Sequence, residues 1–202
     1  MGKYPVISIS LKGINAAAYE DAFDFAVQIM QRTAEEFQFL SDSEYLSEHD
    51  KSVYRELLDS NMSETVFCGG LKILSKLLEK HYRLKVILLI DEYDVPLAKA
   101  FENGYYEQMI FLIRNLLEQA LKTNNSLKFA VMTGCMRISK ESIFTGLNNL
   151  KVLSITDERF DEYFGFTDED VKEMLRYYDR EDHYEEMRNW YDGYRFGSTD
   201  VY

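Results

Sequence analysis

The sequence predicts an α/β fold, a parallel sheet flanked by helices and followed by a small helical lobe. Three observations predict it. In Lys85-Val86-Ile87-Leu88-Leu89-Ile90 an uninterrupted apolar run follows the lysine and ends abruptly in Asp91 and Glu92. A run apolar on both faces suits a central strand of a parallel sheet covered by helices on each side. Leu127-Lys128-Phe129-Ala130-Val131-Met132 repeats the pattern and ends in Thr133-Gly134. Between and before these runs lie long stretches of helical spacing, and strands that alternate with helices argue for right-handed crossovers in one parallel sheet.

The elements follow in order. Val6-Ile7-Ser8-Ile9-Ser10-Leu11 alternates apolar and polar residues with β-branched content, and Gly13 closes it. Ala22, Phe23, Phe25, Ala26, Ile29 and Met30 recur at helical spacing and predict a helix over 19–40. Two more helices are predicted over 48–59 and 63–82. The second opens on Ser63 and carries Leu71, Leu74, Leu77 and Leu78 on one face. A helix over 104–122 bears Ile110, Leu112, Ile113, Leu116, Leu117 and Leu121. A last short strand is expected at Val152–Ile155. Beyond Thr156 no further strand is expected. Thr167-Asp168-Glu169-Asp170 has the form of a capping box, and helices are expected near 157–164, 168–178 and 182–191. The boundary is placed near residue 156.

Composition narrows the function classes. The 202 residues are 46% hydrophobic and 29% charged, a globular rather than disordered balance. The formal net charge of −12 makes the chain a poor partner for nucleic-acid phosphates or anionic lipid. No apolar run approaches the roughly 18 residues of a membrane helix, and no signal peptide is expected. Two cysteines, Cys68 and Cys135, form neither a disulfide framework nor a zinc motif. A cytoplasmic chain is expected.

In an open parallel sheet, ligands bind beyond the carboxyl ends of the strands. Val86-Ile87-Leu88-Leu89-Ile90-Asp91-Glu92 has the form of a Walker B segment. An acid at the strand tip holds Mg²⁺, usually through waters, because that ion sheds its hydration shell reluctantly. The next acid polarises the water that attacks the γ-phosphate. A buried strand that simply meets solvent would also end in polar residues. Thr133 occupies the neighbouring strand tip, where a polar sensor of the γ-phosphate would sit, and Arg137 follows in the loop. Taken alone, Thr133 is better explained by a hydroxyl satisfying its own turn, and a surface ion pair accounts equally well for Arg137 or Lys140. The phosphate loop GxxxxGK[ST] is not in these residues. If 85–92 is the Walker B strand, 5–11 is an earlier strand of the same sheet and that loop is expected upstream of residue 1.

The chain resembles the predicted AAA-ATPase-like family of bacteria and anaerobes, related to the STAND and archaeal-type P-loop ATPases. The resemblance rests on Val86 to Leu97, on Thr133 to Leu150, on Phe164-Gly165-Phe166-Thr167, on Trp190 to Gly197, and on Leu11-Lys12-Gly13. It implies a P-loop NTPase-type sheet, with 1–156 a partial ATPase core and 157–202 a truncated helical lid-like subdomain. It implies ATP and Mg²⁺ as cofactors of the complete protein, Asp91 as the metal acid and Glu92 as the catalytic base. Thr133 or Arg137 would be the sensor. In many members a restriction-endonuclease-like nuclease domain follows in the same polypeptide. No nuclease constellation lies in these residues, and the fragment is expected to be inactive by itself. The expected function is Mg-dependent ATP hydrolysis that drives a switch on an unknown protein partner. The alternative is a non-catalytic scaffold derived from an ATPase.

Other constellations carry less. Asp91, Glu92 and Asp94 leave a strand toward opposite sides and suit a three-carboxylate metal cluster poorly. His49, His81 and His183 have no partner spacing, and no GxSxG elbow supports a nucleophilic serine. The aromatic group Trp190, Tyr191, Tyr194 and Phe196 is expected as lid core, and the acids of 179–186 as a solvated helix face.

Overall fold

The computed structural model describes residues 2–135, 150–191 and 193–202. The chain divides into two compact units, Met1–Asn148 and Asn149–Tyr202.

The first unit is built on three parallel strands, β1 (Val6–Ser10), β2 (Val86–Asp91) and β3 (Leu127–Met132), in the order β1-β2-β3. Among the described residues five α-helices accompany them: α1 (Tyr19–Glu35), α2 (Glu48–Glu56), α3 (Glu64–Tyr82), α4 (Val95–Asn103) and α5 (Tyr106–Leu121). α1 packs against β1, α3 against β2 and α5 against β3, while α3 and α5 pack on each other. Register places Ile7, Leu88 and Ala130 in one row and Ile9, Ile90 and Met132 in the next. Within these rows Ile7, Ile9, Leu88 and Ile90 are at most 2% exposed and form the core with Leu74, Leu78, Leu112 and Leu116.

The other face is different. Val6, Ile87 and Phe129 form one row, and Ser8, Leu89 and Val131 the next. Leu89 is 37% exposed, Val131 46% and Phe129 49%. This corrects the expectation that β2 and β3 are covered on both sides. An apolar run records that a strand accepts burial, not that each face receives it.

The helical layer is fixed by local chemistry. Ser47 caps α2 in a full capping box with Asp50. Both Asp50 oxygens then accept from Lys80 Nζ of α3, at 2.6 and 2.7 Å. Burial opposes ionisation of Asp50, but the hydrogen bonds from Lys80 and Ser47 outweigh it and hold the carboxyl down at about 2. Tyr54 of α2 donates to the Ala34 carbonyl of α1 at 2.8 Å. The helix expected over 19–40 ends at Glu35 and continues as a 3₁₀ turn, Gln38–Asp42. α4 has no counterpart among the helices expected from the sequence. Proline fits a first helical turn, where its missing N–H costs nothing, and Gly104 ends the helix at φ 83°.

The second unit holds α6 (Asp168–Tyr177), α7 (Tyr184–Trp190) and an antiparallel hairpin of β4 (Tyr194–Phe196) and β5 (Thr199–Val201). The capping box predicted at Thr167 and Asp170 is present. The hairpin corrects the purely helical expectation. Gly197 at φ 57° permits its tight turn, and Asp161 accepts from Ser198 N and Oγ at 2.9 and 3.0 Å. Val152–Ile155 forms no strand, because Ser154 N and Oγ both donate to Asp157 and turn the chain there. Of the helix expected over 157–164, only the 3₁₀ turn Asp161–Tyr163 exists. The aromatic group expected as core is mostly outside. Phe196 stacks on Phe164, with centroids 4.9 Å apart, but Trp190, Tyr191 and Tyr194 are exposed.

Candidate functional site at the carboxyl edge of the sheet

Three strand tips converge on one edge of the first unit. Ser10 ends β1, Asp91 ends β2, and Thr133 follows β3. Ser10 and Asp91 are register partners, so both continue the exposed face of the sheet. Thr133 lies two residues beyond Val131 and continues the same row by strand alternation. The ladder persists past the formal strand ends. Thr133 N donates to Ile90 O at 2.9 Å, Tyr93 N to Thr133 O at 3.2 Å, and Leu11 N to Asp91 O at 3.0 Å.

The two acids of β2 are held by opposite neighbours. Asp91 Oδ1 accepts a hydrogen bond from Thr133 Oγ1, on the β3 side. Glu92 turns to the β1 side, where Oε2 accepts from Ser10 Oγ at 3.3 Å and Oε1 lies 3.7 Å from Lys12 Nζ. The divergence has a backbone cause. Glu92 sits at φ 53°, in the left-handed region, which costs a non-glycine residue about 1–3 kcal/mol. That turn swings its side chain out of strand alternation and starts the loop in which Val95 N donates to Glu92 O at 3.3 Å.

Behind the acids the packing is tight. Asp94 is 2% exposed, and its carbonyl receives Leu97 N and Ala98 N at the start of α4. The loop after β3 crosses directly over it. A Cβ on Gly134 would fall 2.6 Å from Asp94 Oδ1 and 2.9 Å from Tyr93 Cε1, so any side chain there would have to displace one of them. Burial, followed by the charge of Asp94, pushes the Tyr93 phenol upward and keeps it neutral.

Of the residues singled out in the sequence, Asp91, Glu92 and Thr133 are thus brought together. Arg137, the other sensor candidate, and Lys140 lie outside the described residues. Sequence reasoning assigned no role to Ser10 or Lys12. Alternation makes Ser10 the last outward position of the run Val6 to Ser10, but its place beside Asp91 comes only from the β1–β2 register. Among the described residues no group of three or more His, Cys, Asp or Glu side chains is placed to hold a metal ion. No helix among them is long and apolar enough to cross a membrane.

A family model described as "Predicted AAA-ATPase" matches residues 1–144. The chain is 32% identical over 131 residues to a protein described as uncharacterized and encoded in the vnfD 5′ region of Azotobacter chroococcum mcd 1. The match takes in 58% of this chain and 23% of that protein, so the chain spans about a quarter of that relative's length. No solved structure matches.

Proposed function

The chain belongs to the predicted AAA-ATPase-like family, and from that premise we propose that its carboxyl-edge site is the Walker B half of an ATP-hydrolysing centre. The observation that carries the proposal is the divergence of Asp91 and Glu92. Two adjacent acids at one strand tip, each fixed by a different neighbouring strand, are equipped for two different tasks.

The donor set suits Mg²⁺ bound to a nucleotide better than a metal caged by protein. Asp91 offers one exposed carboxylate, and the described residues supply no cluster to complete a coordination sphere. Mg²⁺ keeps waters and takes phosphate oxygens as its remaining ligands, so one or two protein carboxylates are enough. When bound, the ion would neutralise charge on the transferring phosphoryl group. Asp91 would hold it, with the Thr133 hydroxyl fixing the carboxylate rotamer. Glu92 would orient the attacking water and accept its proton at Oε1 or Oε2. Ser10 and Lys12 position that carboxylate before substrate arrives. Thr133 is one candidate for the γ-phosphate sensor and Arg137 the other.

A loop of the form GxxxxGK[ST] is not among these 202 residues. Hydrolysis, nucleotide-driven switching and any nuclease-like domain are therefore proposed for the complete protein and not for this chain alone. The alternative reading is a non-catalytic scaffold that retains the fold. Calorimetric titration of the complete protein with ATP, with and without Mg²⁺, separates the two. The ATPase reading expects binding that Mg²⁺ strengthens, and Asp91→Asn to remove that gain. Absence of nucleotide binding, or binding indifferent to Mg²⁺ in both proteins, would leave the scaffold.

A further inference from the structure

We propose, resting on the ATPase reading above, that Lys12 binds the terminal phosphate of the nucleotide and that Glu92 is its partner only until nucleotide arrives. The position of Lys12 comes from β1. Val6, Ser8 and Ser10 alternate onto the exposed face, and Lys12 is the next exposed residue of that parity. The ladder still holds beside it, since Leu11 N donates to Asp91 O at 3.0 Å. Lys12 N in turn donates to Ser10 Oγ at 3.4 Å. The base of the lysine is thereby tied to the strand tip that pairs in register with Asp91.

Its far end is loosely held. Nζ lies 3.7 Å from Glu92 Oε1, and the Lys12 side chain is 76% exposed. A solvent-screened pair of this kind is weak, and a flexible four-carbon stem lets the ammonium change partners at little cost. Charge supplies the reason to change. Asp91 and Glu92 are both carboxylates, so a polyphosphate at this edge adds negative charge to two acids already there. A divalent ion on Asp91 offsets one side of that crowding, and Lys12 is the cation placed on the Glu92 side. Phosphoryl transfer spreads negative charge over the terminal phosphate oxygens, where a positioned cation stabilises it. That phosphate offers more charge and more acceptor oxygens than the one carboxylate oxygen Lys12 faces. The exchange also frees Glu92 Oε1 for the attacking water, while Ser10 Oγ still holds Oε2 at 3.3 Å.

A lysine that merely neutralised Glu92 would become dispensable once residue 92 carried no charge, and that difference is measurable. Calorimetric titration of the complete protein carrying Glu92→Gln removes the charge and keeps ATP intact during the measurement. We expect the further change Lys12→Gln to weaken Mg-ATP binding about tenfold and to leave Mg-ADP binding within about twofold. Retained ADP binding shows in the same titrations that the variant is folded. Lys12→Arg in its place should keep most of the ATP affinity, because a guanidinium also binds phosphate. ATP affinity indifferent to Lys12→Gln would overturn the proposal and leave the ATPase reading standing. An equal loss for ATP and ADP would overturn it too, because the terminal phosphate would then not be what Lys12 recognises. Absence of nucleotide binding in the parent and in Glu92→Gln alike would defeat the ATPase reading and this assignment together.

Discussion

The two faces of the three-stranded sheet were written in the same apolar alphabet and ended differently. Leu88 and Leu89 are adjacent, identical in composition and in the same strand, yet one is fully buried and the other 37% exposed. On the covered face, α1, α3 and α5 supply the packing, and the rows of Ile7 and Ile9 disappear into it. On the exposed face the rows of Val6 and Ser8 lead to Ser10 and Asp91 at the carboxyl edge. One face is therefore the stability of the first unit, and the other is the approach to its candidate site.

The sharpest way to break this contrast is to truncate the two leucines. Leu88→Ala removes fully enclosed methyl groups and should cost about 3 kcal/mol in urea unfolding, whereas Leu89→Ala should cost less than about 1 kcal/mol. Equal costs would mean that the second face is packed in solution. Gly134→Ala probes the edge where the exposed face ends. The new Cβ must displace the buried Asp94 or the half-buried Tyr93, so a loss of about 2 kcal/mol is expected, measurable by thermal unfolding.

A smaller effect belongs to the helical layer behind the covered face. Asp50 titrates at about 2 when folded and near 4 when unfolded, so its stabilisation is complete above the unfolded value and fades as pH falls toward 2. Asp50→Asn should lower stability at neutral pH by about 1–2 kcal/mol and flatten the acid limb between about pH 4 and 2. An unchanged acid limb would show that the Lys80 pair does not persist in solution. The least perturbing probe is chemical. Cys68 of α3 is buried, and burial followed by the charge of Glu64 pushes its thiol up to about 11, whereas Cys135, beyond β3, is exposed. A thiol reagent at neutral pH should label one cysteine promptly and the second only on unfolding. Two fast equivalents would contradict the packing of α3.

Much of this was legible in the sequence because it is local. The apolar runs of β2 and β3, the helical spacing of α3 and α5, and the Thr167 capping box each announce themselves within a few residues. What escaped was relational. Nothing in Leu127–Met132 says which of its faces a helix will cover, since Phe129 and Ala130 are equally acceptable in a core. The hairpin of β4 and β5 was overlooked because three-residue strands are too short for a period, although Gly197-Ser198 between alternating residues is a turn signal. At the site, Asp91, Glu92 and Thr133 followed from strand ends alone. Ser10 and Lys12 needed the β1–β2 register, which no local pattern encodes.

The central claim is that Glu92, turned away from Asp91 by its left-handed backbone and held by Ser10 and Lys12, is the catalytic carboxylate. It is tested most directly by ATP turnover of the complete protein beside its Glu92→Gln variant, with nucleotide binding measured in parallel. The account predicts turnover in the parent that falls at least about 100-fold in the variant while nucleotide still binds. Undiminished turnover in the variant, or neither binding nor turnover in either protein, would contradict it.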